Sequence, residues 1–272
     1  MGDTDVVIAG PPCEGNSSFN NHTRGKDRRH ELYVASVATA IALKAKVVII
    51  ENVAKVVAAK EKVVDRSLTM LAKAGYKVSE NQTVLNAADF GVAQSRRRHF
   101  LIASRNKDVA GKLTGEGLRC SQMNVLDVLE DLLKSDAEQQ MDQIASLSEE
   151  NLARVNYLFK KNEYDLPDSE RPDCHRTKAH SYSAVYGRMR PDEPSQTITT
   201  GFLSPGRGRY IHPTLPRGLT LREGARLQGF PDDYVWTPRG KALGRSPIAG
   251  LIGDAVPPSL GFVVGLIGIS TL

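Results

Sequence analysis

Residues 6–13 read Val6-Val7-Ile8-Ala9-Gly10-Pro11-Pro12-Cys13. Three β-branched residues and an alanine form a short apolar run of the kind that makes a buried strand. A glycine and two prolines then end it, because proline offers no amide to a ladder. A thiol therefore stands just past a strand end. Two further stretches repeat that arrangement. Val47-Val48-Ile49-Ile50 runs into Glu51-Asn52-Val53, and Gln94-Ser95-Arg96-Arg97-Arg98 leads into an apolar run at 100–103. Open α/β sheets place their chemistry at strand ends, and here a nucleophile, an acid and paired arginines each stand at one.

Short apolar runs alternate with helical patterns over the first hundred residues. Strands are expected at 6–9, 47–50, roughly 76–85 and 100–103, and helices at 31–43 and 63–73. Such alternation implies βαβ units and a mostly parallel sheet. From residue 106 the character changes. Residues 124–134 and 148–159 read as polar helices, and 165–180 as a loop rich in Pro, Arg, His and Lys. Turn signals dominate 181–236, interrupted by one helix at about 221–227, and a strand or turn followed by a helix is expected over 252–272. The expected organisation is a large α/β domain of residues 1–105 plus 246–272, with a small domain, 106–245, inserted between them.

The chain has 272 residues, a formal net charge of +5 and three cysteines, Cys13, Cys120 and Cys174. That length suits one large domain, or a large one with a smaller insert. The modest positive charge permits a polyanionic partner without requiring one. Three scattered cysteines make neither a disulfide framework nor a metal pattern, and fit a reduced, cytoplasmic setting. No charged-then-apolar leader opens the sequence and no membrane-spanning run is expected; the apolar tail at 260–272 reads as a buried terminal helix.

Together these segments resemble the cytosine-C5 DNA methyltransferases over nearly the whole chain. Pro11-Pro12-Cys13 with Ser17 resembles the family's nucleophile motif, and Asp27, Arg29, Leu32 and Tyr33 fit the segment after it. Glu51-Asn52-Val53 resembles the acid motif, and Gln94, Arg96 and Arg98 the Gln-x-Arg-x-Arg motif. The stretch from Pro194 through Thr199 and Thr200, then Leu219 to Pro231, resembles the family's segment beyond the target-recognition region; Gly253 to Pro258 resembles the last motif. Singly, each has a plain structural reading: a buried thiol, a helix cap, a solvated basic edge, a turn. Six in family order make the resemblance.

The resemblance implies a Rossmann-like methyltransferase fold with an inserted target-recognition domain, S-adenosylmethionine as cofactor, and double-stranded DNA as partner. Cys13 would add to C6 of a flipped cytosine. Glu51 would hold or protonate the N3/N4 edge, while Arg96 and Arg98 would grip the base carbonyl and a phosphate. Pro12, Asp254, Ala255 and Val256 would line the cofactor. Ser17, Arg29, Thr199, Thr200 and Arg176 would contact DNA, with phosphates supplying much of the affinity. DNA methylation is the implied role, either within restriction-modification or as an orphan mark.

The sequence also departs from the family pattern. Glu14 and Asn16 replace the residues usual beside the nucleophile, and Asp254 stands where Asn is common. No Phe-x-Gly-x-Gly loop with its acidic partners precedes Cys13, so only one wall of the cofactor pocket is expected. The resulting expectation is a split subunit, or a fragment inactive alone, that needs an N-terminal half, with an apolar sheet edge and face left uncovered. Two alternatives stay open: a tRNA cytosine-C5 methyltransferase, and a non-catalytic DNA-binding subunit.

Overall fold

The computed structural model describes residues 4–12, 28–78, 83–109, 115–134, 139–176, 184–237 and 241–272. The chain divides into two compact units. The first comprises residues 1–86, 97–119 and 260–272, the second 87–96 and 120–259. Residues 87–96 and 246–259, grouped with the catalytic domain on sequence, thus fall in the second unit.

The first unit is built on a five-stranded sheet: β1 (Val6–Ala9), β2 (Val47–Val53), β3 (Lys77–Val78), β4 (Thr83–Asn86) and β5 (Arg97–Ser104). The order is β1-β2-β5-β3, with β4 also along β5. β1 and β2 are parallel, with Ile8 opposite Ile49. β5 lies antiparallel to β2, β3 and β4. Among the described residues the sheet is therefore mixed, where the alternating pattern suggested mostly parallel pairing. The reason lies between Asn86 and Arg97, where the chain is too short to hold a crossover helix and so must reverse.

Helices α1 (Glu31–Ala42) and α2 (Val63–Lys73) cover one sheet face, burying Tyr33, Val37, Val64 and Leu71 with Val48, Ile50, Leu101 and Ala103. Val7 and Ala9 pack on this same core. On the opposite face, α8 (Pro258–Ile269) brings Gly268 so close to β2 that a Cβ there would stand 2.7 Å from Ile49 Cδ1.

The second unit contains α3 (Val125–Leu129), α4 (Glu149–Lys161), α5 (Asp173–Arg176), α6 (Leu221–Leu227) and α7 (Arg245–Asp254). Its main core joins Val125, Leu129, Ile198, Phe202, Tyr210, Leu221, Leu227, Ile248 and Ile252. A smaller cluster joins Val155, Leu158, Leu166 and Ile211. α6 starts with a reciprocal capping box between Thr220 and Glu223.

Three sequence expectations need correction. Residues 173–176, read as loop, form a helical turn. Gly253 and Asp254, read as a turn, close α7, which ends at an extended Ala255 (φ −60°, ψ 145°) before two prolines. The stretch Arg245–Ile269 is, by length and composition, long and apolar enough to cross a membrane. The break after α7 divides it into two helices.

Candidate active site

Strand pairing in the first unit explains why three separated motifs meet. Parallel pairing puts Ala9 opposite Ile50, so Gly10-Pro11-Pro12 leaves the sheet beside Glu51-Asn52-Val53. Antiparallel pairing puts Val53 opposite Arg98, bringing the start of β5 to that same sheet end. Arg98 Nε lies 3.0 Å from Glu51 Oε1, with side chains 13% and 18% exposed respectively. A Cβ on Gly10 would stand 3.7 Å from Glu51 Oε2. A partly buried carboxylate held by a forked cation, beside the segment that carries a thiol, suits recognition of a polar planar ring.

Asn52 is buried and donates Nδ2–H to the Pro11 carbonyl at 2.9 Å, while its Oδ1 accepts from the Val53 amide at 3.0 Å. The residue before the Pro12-Cys13 pair is thereby tied to the neighbouring strand. Behind it, Tyr33 of α1 and His99 of β5 share a 2.8 Å hydrogen bond. Burial lowers the His99 pKa to about 4. Burial, reinforced by the Glu51 anion, raises that of Tyr33. Both groups are neutral near pH 7.

In the second unit, Gln94 is fully buried and bonds to three backbone or side-chain groups. Its Nε2 donates to the Leu227 carbonyl at 2.9 Å and to Gln228 Oε1 at 2.7 Å, and its Oε1 accepts from the Ile198 amide at 3.0 Å. Arg96 is likewise buried, giving Nη1–H to the Ile198 carbonyl and Nη2–H to the Gly253 carbonyl, both at 2.9 Å. Gly253 accepts this packing because a Cβ would stand 2.2 Å from the Thr200 nitrogen. Thr199 Oγ1 lies 3.0 Å from the Tyr210 hydroxyl, which donates to the Thr197 carbonyl at 2.9 Å. These motif residues brace one another.

The other sequence candidates are dispersed. Arg29 is exposed in the turn Arg28–His30 before α1, and Pro12 is exposed at its sheet end. Arg176 is exposed on α5 and paired with Asp173. Thr199 is half-buried and Thr200 exposed; Asp254 is exposed, with Ala255 and Val256 half-buried. Cys13, Ser17 and most of the loop from Gly15 to Arg29 lie outside the described residues. The sequence reading missed the tether role of Asn52 and the buried hub at Gln94. The only signal was an amide side chain inside an otherwise apolar or charged motif.

An open pocket of about 410 Å³ in the second unit is lined by Val92, Val128, Arg226, Gly229, Phe230 and Asp232 among others. Asp232 and Asp131 both bond to Arg226 and raise its pKa, so its charge is already matched. No candidate site residue lines it.

Residues 1–266 match the family described as C-5 cytosine-specific DNA methylase. The chain belongs to that family. Among curated relatives, Type II methyltransferase M1.BsuMI of Bacillus subtilis is 38% identical over 96% of this chain and 60% of its own length. Type II methylase M.HgiDII of Herpetosiphon aurantiacus is 29% identical over 95% of this chain and 74% of its own. The chain thus spans roughly two thirds of such methylases. A prophage-encoded E. coli chain described as a DNA modification methyltransferase superposes with a TM-score of 0.62 at 20% identity, covering 98% of this chain and 79% of that one. Its fold is the fold of this chain.

The described residues do not by themselves fit S-adenosylmethionine. Pro12, Asp254, Ala255 and Val256 offer one exposed carboxylate and no buried polar side chain to cradle a nucleoside.

Proposed function

We propose that this chain is the cytosine-handling portion of a DNA (cytosine-5) methyltransferase of the Type II kind. The observation that carries the reading is the Glu51–Arg98 pair, set at the sheet end where β1 feeds into Pro11-Pro12-Cys13. Cytosine C5 is a poor nucleophile until C6 is attacked. The Cys13 thiolate would add there, pushing the C5=C6 electron pair toward C5, and would leave again when the C5 proton departs. Glu51 would bind the N3/N4 edge and stabilise the protonated ring. Arg98 would orient Glu51 and set its positive charge beside the base or its phosphate. Arg96 would act more remotely, holding Thr199 and Thr200 in place for DNA.

A target inside a duplex must first be flipped out. Arg29 and Arg176 would hold phosphates, so affinity should fall steeply with salt. S-adenosylmethionine, when bound, supplies the methyl group; a complementary segment of the methylase would hold most of it. Acting on chromosomal DNA within restriction-modification places the protein in the cytoplasm.

The test is transfer of labelled methyl from S-adenosylmethionine to mixed-sequence DNA, for the chain alone and with a methylase N-terminal half. Label at cytosine C5 with the half supplied, lost in Cys13→Ala, upholds the reading. DNA binding with no methylation in either arm, or methylation that survives Cys13→Ala, overturns it.

A further inference from the structure

A buried polar row crosses the sheet end of the first unit. Ile50 and Leu101 are cross-strand partners, and both pack into the core under α1 and α2. Residues two apart on a strand share a face. The next pair on that face is therefore Asn52 of β2 and His99 of β5, directly opposite one another. They are 2% and 1% exposed. Glu51 and Arg98 alternate with them and take the other face. Asn52 donates to the Pro11 carbonyl at 2.9 Å, two residues before Cys13. His99 Nε2 shares its 2.8 Å hydrogen bond with the hydroxyl of Tyr33, in the first turn of α1, the helix that follows Cys13 in sequence. One cross-strand pair thus holds the chain on both sides of the nucleophile motif.

Two features set the Tyr33–His99 bond apart from ordinary core packing. α1 begins without a side-chain capping bond from His30, so no local cap fixes its start. Glu31 pairs with both Nη atoms of Arg66, but that pair is exposed and contributes little. Tyr33 is the first buried residue of the helix, and its hydroxyl is the firmer hold. The second feature is His99 Nδ1, which is buried and has no hydrogen-bond partner among the described residues. An orphaned buried polar atom costs about 1–3 kcal/mol, whereas two apolar side chains of similar shape avoid that cost. What the polar pair adds is therefore a fixed distance and direction, not net stability.

We propose that Tyr33 and His99 are positioning residues for the nucleophile. Their hydrogen bond ties the start of α1 to β5, as Asn52 ties Pro11 to β2, so both flanks of the Cys13 motif are fixed to the Asn52–His99 pair. Neither residue touches the base; both act through the backbone. That Cys13 is the attacking group rests on the function proposed above, whereas the anchoring of α1 does not. A misplacement of about 1 Å can cost about 10²-fold in rate. Freeing one flank should therefore lower turnover while leaving DNA binding nearly intact.

The test separates anchoring from stability. Tyr33→Phe alone leaves His99 Nε2 unpaired and should lower the melting temperature. Tyr33→Phe with His99→Leu removes both polar partners, so the melting temperature should return to that of the parent or above. Melts and amide exchange are measured on the full 272-residue chain, and methyl transfer to DNA with a methylase N-terminal half supplied. At parental melting temperature, the double variant should exchange amides at residues 31–36 at least about fivefold faster, through local opening. It should also methylate about 10–10²-fold more slowly, with KM for DNA nearly unchanged. If the double variant melts lower than the parent, Tyr33→Phe alone carries the comparison, and its loss of turnover must exceed what its stability loss explains. Turnover that recovers together with the melting temperature overturns the proposal, because the pair is then structural only. Unchanged exchange at 31–36, or a loss of rate that lies wholly in KM, overturns it too. Faster exchange at 31–36 in a system where even the parent fails to methylate DNA leaves the anchoring standing and sinks the function proposed above.

Discussion

Arg98 Nε stands 3.0 Å from Glu51 Oε1 across two antiparallel strands, at the sheet end where Gly10 passes Glu51 Oε2. Strand register brings the two residues to one sheet end, with Arg98 opposite Val53 and Glu51 opposite Phe100. Glu51→Gln keeps the shape and removes the anion. Loss of proton handling should lower methyl transfer by about 10²–10⁴-fold, the range for a positioned acid or base. DNA affinity measured by anisotropy should change far less. A variant with near-normal turnover would remove Glu51 from the chemistry.

Asn52 tests whether the nucleophile segment is held from behind. Asn52→Ala leaves the Pro11 carbonyl without its 2.9 Å partner in a buried position. A lost buried hydrogen bond of this kind costs about 1–3 kcal/mol, read as a lower melting temperature. Turnover should fall further than that stability loss explains, with KM for DNA nearly unchanged.

Two glycines of α7 should respond in opposite directions. A Cβ at Gly253 would meet the Thr200 nitrogen at 2.2 Å and the Thr199 carbonyl carbon at 2.3 Å, both backbone atoms that cannot step aside. Gly253→Ala should therefore destabilise by about 3 kcal/mol or more. Gly250 lies in the same helix with nothing within 4 Å of its would-be Cβ. Gly250→Ala should stabilise by about 0.5–1 kcal/mol. Thermal melts of the two variants against the parent chain decide both.

Much of the site was legible before the fold. The apolar runs at 6–9 and 47–50 fall within β1 and β2, although β2 continues through Glu51 and Asn52 to Val53, three residues past the expected end. Helix α2 occupies residues 63–73 because its apolar positions recur at helical spacing over a polar opposite side. What periodicity could not reveal was partnership. Arg96 and Arg98 look equivalent in sequence, yet Arg96 donates to the distant Ile198 and Gly253 carbonyls while Arg98 meets the Glu51 carboxylate and the Arg97 carbonyl. Positions two apart share a face of an extended chain, so only tertiary packing decides what each guanidinium meets. The turn reading at Gly253 failed for a related reason: the glycine is there for close approach to Thr200, inside a helix.

Two buried histidines set the acid side of stability. Burial lowers His99 in the first unit to about 4, and His212 in the second likewise to about 4 despite the nearby Glu223 anion. Unfolded, each titrates near 6.5. The unfolded chain thus takes up protons first as pH falls. Stability is full above about 6.5, declines between there and about 4, and levels off below, by roughly 3 kcal/mol per histidine at most. His212 Nδ1 accepts from the Thr214 and Leu215 amides at 3.1 Å, an acceptor position that asparagine can supply. His212→Asn should flatten part of the melting-temperature profile between pH 6.5 and 4. An unchanged slope would mean that other groups control the acid limb.

The central claim is covalent handling of cytosine by Cys13, and trapping that adduct tests it most directly. Replacing the C5 hydrogen of a target cytosine by fluorine removes the proton whose departure releases the enzyme, so the thioether to C6 should persist. The full chain, a methylase N-terminal half, S-adenosylmethionine and fluorocytosine DNA would be incubated together and the peptides analysed by mass spectrometry. The account predicts a DNA adduct on the peptide containing Cys13, absent from Cys13→Ala. Methylation of ordinary DNA in the same mixture, with no adduct or with one at Cys120 or Cys174 instead, would contradict it.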